Sequence, residues 1–116
     1  MNVFSIDFYK KENGEIPVQA FLDGLDVKMR NKAIRSLQLL EEFGCELREP
    51  NSKSLGNGLF ELRIKFANDI TRIFYFFFAG NRIILTNGFV KKTVKTPRSQ
   101  IEKAKSYKKD WEKRNK

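Results

Sequence analysis

Two adjacent lysines, Lys91 and Lys92, follow an apolar segment in the stretch NGFVKKTVKTP, residues 87–97. A strand that ends here would present both ammonium groups at one place, whereas a solvated turn would be basic without any function. Paired ammonium groups suit phosphate oxygens, so the first interpretation predicts a polyanion as the partner.

The net charge is concentrated at the C-terminal end of the chain. Residues 1–90 contain 12 Lys and Arg against 11 Asp and Glu, a net charge of +1. Residues 91–116 contain 11 Lys and Arg against 3 acidic residues, a net charge of +8. A basic terminal block is typical of either a nucleic-acid-binding segment or a solvated tail. Its start at the end of an apolar segment favours the first.

The residue types exclude several kinds of catalytic site. The chain contains no histidine, which excludes Ser-His, Cys-His and His-metal sites. The only cysteine, Cys45, lies among glutamates that make it a poor nucleophile, and we interpret it as a small apolar residue. A single cysteine fits a reducing compartment, so we expect a cytoplasmic protein. Lysine and arginine must carry the function, and we expect neither metal nor other cofactor.

The elements that must position these cations follow from apolar spacing. The 116 residues suit one domain, 1–116. Period-2 alternation or continuous apolar character predicts strands, and 3.6-residue periodicity predicts helices. The predicted order is strand, helix, helix, strand, strand, strand, helix, with residues 48–58 as a loop. The fold class is therefore α+β, with a two-helix hairpin and an antiparallel meander before a C-terminal helix.

The helix boundaries are predicted from capping residues. Pro17 opens the first helix, Asp26 caps the second and Gly44 ends it. Thr96 is predicted to cap the C-terminal helix, with Pro97 at its first position. The residues predicted to face the sheet from the second helix are Ala33, Ile34, Leu37, Leu40 and Phe43. Those from the last helix are Ile101, Ala104, Tyr107 and Trp111.

The segment from residue 54 to about residue 107 resembles the RelE/ParE toxin superfamily, specifically its HigB-like, phage-protein-related branch. The shared pattern is SLGNGLFELR, then Arg-x-x-Tyr in TRIFY, then GFVKK followed by a proline and a helix. The resemblance implies a RelE-like fold and a type II toxin that cleaves mRNA on the ribosome. It also implies a helix-turn-helix, HigA-like antitoxin as partner, besides the ribosome and mRNA.

The resemblance also implies the catalytic residues. Arg63 and Arg72 match strand arginines that face the scissile phosphate in RNA-cleaving members, and Lys91 and Lys92 match the basic pair after the last strand. We expect Arg72 to contribute little to the core, so that its replacement leaves the protein folded. Tyr75 matches the family tyrosine, yet its position in the strand favours core packing at least as strongly. No residue is identified as the general base.

Further basic and aromatic residues are candidates for RNA binding rather than chemistry. They are Lys53, Lys65, Phe89, Lys95, Lys108 and Lys109. Phe89 has core packing as its alternative role, since a strand aromatic is more often buried. Two other functions remain open: a ParE-like inhibitor of DNA gyrase, and a nucleic-acid-binding protein without catalysis.

Overall fold

Five strands form one sheet in the order β1-β5-β4-β3-β2. The computed structural model describes residues 4–91 and 96–115, and of Lys91 it describes the backbone alone. The β1 strand runs parallel to β5, and the other neighbours are antiparallel. The strands are β1 (Ser5–Phe8), β2 (Ser52–Gly56), β3 (Leu59–Phe66), β4 (Asp69–Phe78) and β5 (Arg82–Lys91).

Helices cover both faces of this sheet. The helices α1 (Pro17–Asp23) and α2 (Val27–Phe43) bury Val18, Leu22 and Met29 against one face. The C-terminal helix α3 (Arg98–Arg114) places Ala104, Ile101, Tyr107 and Trp111 against the other face, as predicted. The architecture is α+β, as predicted, and is consistent with the RelE-like fold. Among the described residues, each helix is too short or too polar to cross a membrane.

The predicted ends of the first two helices are confirmed. Pro17 stands at the start of α1, and the Asp26 carboxylate accepts a hydrogen bond of 3.0 Å from the Met29 backbone N–H. Gly44 ends α2 with a φ of 51°, and a Cβ there would lie 2.1 Å from the Phe4 ring. Both the backbone conformation and the close approach require glycine.

The predicted antiparallel meander is confirmed as β3-β4-β5, and β1 adds to it in parallel, which makes the sheet mixed. Three other predictions were wrong. Residues 48–58 were predicted as a loop, yet they contain β2, an edge strand whose polar residues hide its strand character. Ile34 and Phe43 are exposed, since α2 buries a narrower stripe. Cys45 is exposed rather than packed as a small apolar residue.

Candidate functional site

The strand register brings several of the predicted cations onto one sheet face. Arg63 of β3 lies opposite Arg72 of β4, which lies opposite Phe89 of β5. In the next row, Lys65 and Lys91 flank Ile70 from either side. Residues directly opposite in neighbouring strands point to the same face. Arg63, Arg72 and Phe89, with Lys65 beside them, therefore lie on the face that α3 also contacts.

Arg72 does not have the exposure that was expected. Its side chain is fully buried and is among the largest buried side chains of the protein. Its Nη1 lies 4.0 Å from the Glu61 Oε2, and its guanidinium stands 5.9 Å from the centre of the Phe89 ring. The structure thus contradicts the expectation that Arg72 contributes little to the core. An uncompensated guanidinium would be costly in this position, so its partners are part of the fold.

Glu61 is the partner that sequence reasoning missed. Its carboxylate is fully buried and accepts a 2.6 Å hydrogen bond from the Arg63 Nε and another from the Thr96 hydroxyl. With Arg72 on its other oxygen, it joins two arginines that would otherwise repel each other. The available signal was its position two residues before Arg63, because residues i and i+2 share a strand face.

Thr96 has a different role from the helix cap that was predicted. The N-cap of α3 is Pro97, the helix begins at Arg98, and this N-cap makes no side-chain hydrogen bond. The Thr96 hydroxyl instead accepts from the Arg72 Nη1 and donates to Glu61. The segment that leads into α3 is thereby tied to the buried ion pair.

The electrostatics of this cluster follow from its burial. Desolvation lowers the pKa of Arg72, Glu61 opposes that shift, and the positive charge of Arg63 reinforces it. An arginine remains protonated near neutral pH despite such a shift. The cluster of Glu61, Arg63 and Arg72 therefore carries a formal charge of one positive unit, less than its two arginines alone suggest.

Solvent can reach both Arg63 and Lys65 on this face. The Arg63 side chain is 22% exposed and the Lys65 residue is exposed. Both line a cavity of about 400 Å³ whose rim also includes Lys32 and Asn51. Lys53 of β2 lies opposite Glu61 and is exposed. These three cations form an accessible basic edge at β2 and β3.

The remaining candidates are divided between packing, the surface and residues that are not described. Phe89 is half-buried and stacks on Phe74 with 5.8 Å between ring centres, so it has the core-packing role that was the alternative to RNA binding. The Lys108 ammonium lies 5.4 Å from the Phe76 ring centre and 2.9 Å from Glu112, whereas Lys109 is exposed. Lys92 and Lys95 lie outside the described residues, as does the side chain of Lys91.

Two tyrosines considered from the sequence are packing residues. Tyr75 is buried, which raises its pKa, and its hydroxyl pairs with the Ser52 hydroxyl. Tyr107 stacks on Tyr9 with 4.7 Å between ring centres. Neither approaches the Arg63 row through any contact of the described residues. Within the same described ranges, His, Cys, Asp and Glu side chains form no group of three that could hold a metal ion.

A comparison with protein families finds a match that covers most of the chain. Residues 20–109 match the model of the family "Phage derived protein Gp49-like (DUF891)". No curated protein matches the chain significantly. The matched region extends from α1 into α3 and includes the whole Arg63–Arg72 row and its buried partner Glu61. The chain therefore belongs to the Gp49-like family of phage-derived proteins.

Proposed function

We propose that this protein is the toxin of a type II toxin–antitoxin system and that it cleaves mRNA on the ribosome. The Gp49-like family is associated with the toxins of toxin–antitoxin systems, which supports the first part of the proposal. The observation that carries the enzymatic part is the partly exposed Arg63, which the buried Glu61 holds beside the exposed Lys65 on β3, in register with Lys91 of β5 across Ile70. Cations spaced along the strands in this way match the spaced negative charges of an RNA backbone.

The reaction is attack of a ribose 2′-hydroxyl on the adjacent phosphorus. The P–O5′ bond breaks, and the products carry a 2′,3′-cyclic phosphate and a 5′-hydroxyl. Negative charge develops on the phosphoryl oxygens in the transition state. Preorganised cationic donors stabilise this charge, and a guanidinium can bind two oxygens at once. The proposed chemistry requires no metal from the protein.

The roles of the residues follow from their exposure. Arg63 can contact the scissile phosphate, since part of its side chain reaches solvent while Glu61 fixes its Nε. Lys91 and Lys92 are proposed to complete the phosphate site from the end of β5. Arg72 acts as a positioning residue in this structure, because its buried guanidinium holds Glu61 and Thr96 in place. Lys53, Lys65 and Lys109 supply affinity for the RNA backbone.

The dependence on ribosomes follows from what the site lacks. Without histidine, the chain has no side chain that ordinarily titrates near neutral pH. Cations stabilise charge but align a flexible ribose and phosphate poorly. Correct orientation is worth roughly 7–11 kcal/mol, and a ribosome that holds the message can provide much of it. We therefore propose a partner set of ribosome, mRNA and a HigA-like helix-turn-helix antitoxin.

The test is cleavage of one mRNA with and without translating ribosomes, with the free-RNA arm repeated in EDTA. We expect specific new 5′ ends only in the translating reaction, with wild-type protein and with the exposed-lysine control Lys28→Ala. Arg63→Ala should abolish them at temperatures where thermal unfolding shows the variant to be folded, although the loss of its hydrogen bond to the buried Glu61 should cost about 1–3 kcal/mol of stability. Equal cutting of free RNA would refute ribosome dependence, and a loss of that cutting in EDTA would indicate a metal nuclease.

Two alternative functions remain. The basic surface of α3 also suits a protein that binds nucleic acid without cutting it, and the other alternative is a ParE-like gyrase inhibitor. Mapping of transcript 5′ ends after brief induction separates the nuclease from these two alternatives. New internal ends support the nuclease, and a DNA-damage response without new ends supports gyrase inhibition. Growth inhibition with neither result supports simple binding.

A further inference from the structure

A second cavity lies on the other side of β5, between the 11–17 segment, α1 and α3. Its volume is about 400 Å³, and it is separate from the cavity beside Arg63. Its lining includes basic side chains, amides and rings: Lys11, Phe21, Asn87, Gln100, Lys103 and Tyr107. The proposed cleavage chemistry uses none of these six residues.

A β-bulge gives Asn87 its place in this cavity. Ile73 pairs with Gly88 and Tyr75 pairs with Leu85, so the single residue Phe74 faces two residues of β5. Such a bulge redirects side chains, and bulges are common next to functional sites. The extra residue makes room for Asn87 to line the cavity, although the residue is only 4% exposed.

The side-chain amide of Asn87 has a hydrogen-bond partner for its oxygen but none for its nitrogen among the described residues. Its Oδ1 accepts a 2.8 Å hydrogen bond from the Thr86 hydroxyl. Its Nδ2 has no hydrogen-bond partner among the described residues. Buried donors are almost always paired in folded proteins, so an unpaired one that lines a cavity indicates a ligand acceptor.

The surroundings of that donor define the chemistry of the ligand. Lys11 and Lys103 border the cavity and favour an anion, although Glu15 lies 3.8 Å from the Lys11 ammonium and offsets part of its charge. The Phe21 ring lines it as well and offers apolar contact to a flat group, whereas the Tyr107 ring is stacked on Tyr9 and has the Lys11 ammonium 5.8 Å from its centre. Phe21 can lie against β5 only because Gly88 has no side chain, since a Cβ would lie 2.7 Å from that ring.

We propose that this cavity binds one ribonucleotide of the RNA strand whose scissile phosphate lies at the Arg63–Lys91 rows. This inference rests on the proposed function. Its base would lie along the Phe21 ring and accept a hydrogen bond from the Asn87 amide, and its phosphate would lie between Lys11 and Lys103. Asn87 and Lys91 are four residues apart on β5, about 13 Å at the usual strand rise, so neighbouring nucleotides of one strand can reach both places.

The test is a titration of ¹⁵N-labelled protein with the four nucleoside 5′-monophosphates, in which the side-chain amide signals of Asn87 and Gln100 are followed. We expect saturable shifts of both amides that differ among the four bases. Lys103→Glu, an exposed change on α3, should weaken binding by about 1.5- to 5-fold, as loss of an exposed charge contact predicts. Lys28→Glu on α2 is the charge-matched control and should leave binding unchanged.

A second variant tests the donor itself. Asn87→Asp retains the size of the side chain and the acceptor for Thr86 but removes the donor, so base discrimination should be lost. If this variant does not fold, Lys103→Glu and the amide shifts of the wild-type protein still show whether the cavity binds a nucleotide. Absence of amide shifts, or equal shifts with an acidic glutamate peptide, would overturn the subsite.

The outcome is independent of whether the protein cuts RNA. Binding is read from the amide signals of the intact chain, without any cleavage. Nucleotide binding here together with unchanged cleavage by Arg63→Ala would retain the subsite and refute the proposed nuclease site. Ribosome-dependent cleavage whose sequence preference is unchanged in folded Asn87→Asp would retain the proposed nuclease and refute the subsite, because only the Asn87 contact reads the base.

Discussion

The guanidinium of Arg72 and the carboxylate of Glu61 lie 4.0 Å apart on neighbouring strands, and neither side chain is exposed to solvent. Thr96 bridges the two from the segment before α3, and Arg63 contacts the same carboxylate from the solvent side. The two arginines of the family pattern therefore differ in role. Arg72 is part of the interior that fixes the face, and Arg63 is the arginine that a phosphate can reach.

The first prediction is that the Arg72–Glu61 pair stabilises the fold only as a pair. Arg72→Met should lower the free energy of unfolding by about 3–5 kcal/mol, because Glu61 would keep a buried and poorly compensated charge. Combining it with Glu61→Leu should cost clearly less than the sum of the single changes. Urea unfolding of the four proteins measures this coupling. Arg35→Met, at an exposed position on α2, is the control and should stay within about 0.5 kcal/mol of wild type.

The second prediction concerns the hydroxyl of Thr96. Thr96→Val keeps the shape of the side chain but removes both hydrogen bonds to the ion pair, which should cost about 1–3 kcal/mol. Thr96→Ser retains the hydroxyl and should restore most of the stability. Thermal unfolding of the two variants checks it. If Thr96 acted only as a spacer before α3, valine and serine would have similar effects.

The sequence allowed the outline of the fold to be predicted but not the partners within the site. The helix caps at Asp26 and Gly44 and the packing stripe of α3 depend on local spacing, which a sequence displays directly. Glu61 and Thr96 meet across 35 residues, and that contact depends on strand register and on where α3 begins. The bulge at Asn87 likewise depends on how β4 pairs with β5. Non-local pairing of this kind leaves no periodic signal in either segment.

The third prediction is a loss of stability at high pH that Tyr9 causes. Burial, helped by the 2.6 Å hydrogen bond that its hydroxyl donates to Asp110, raises the pKa of Tyr9 to about 12. The unfolded chain releases this proton near pH 10, so the stabilisation is complete below pH 10 and disappears as the pH rises to 12.

Comparison with Tyr9→Phe isolates this effect from other groups that titrate in the same range. Between pH 9 and 12, wild type should lose about 2–3 kcal/mol more of its unfolding free energy than the variant does. The measurement is urea unfolding at several pH values, with Tyr107→Phe as the aromatic control. Parallel pH profiles of wild type and Tyr9→Phe would show that Tyr9 has an ordinary pKa.

The fourth prediction tests the lysine pair at the end of β5. Lys91→Ala with Lys92→Ala should lower ribosome-dependent cleavage by about 100-fold or more, the usual cost of removing groups that stabilise a transition state. The control is Lys10→Ala with Lys28→Ala, which removes the same charge from exposed positions. Its cleavage rate should fall only slightly. Full activity of the Lys91 and Lys92 double variant would refute their catalytic role.

The last prediction separates two neighbouring lysines of α3 that the sequence alone makes equivalent. Lys109 is exposed, so Lys109→Ala should leave the melting temperature unchanged and reduce the salt dependence of RNA binding by about 0.7–1 in log–log slope. Lys108 lies over the Phe76 ring and beside Glu112, with its side chain 21% exposed. Lys108→Ala should therefore lower stability by about 0.5–2 kcal/mol, since its stem and ammonium pack on the sheet.

Binding to a short single-stranded RNA over a series of salt concentrations measures the change in salt dependence, and thermal unfolding measures the change in stability. Equal changes in both properties for the two variants would show that the surface of α3 does not distinguish them.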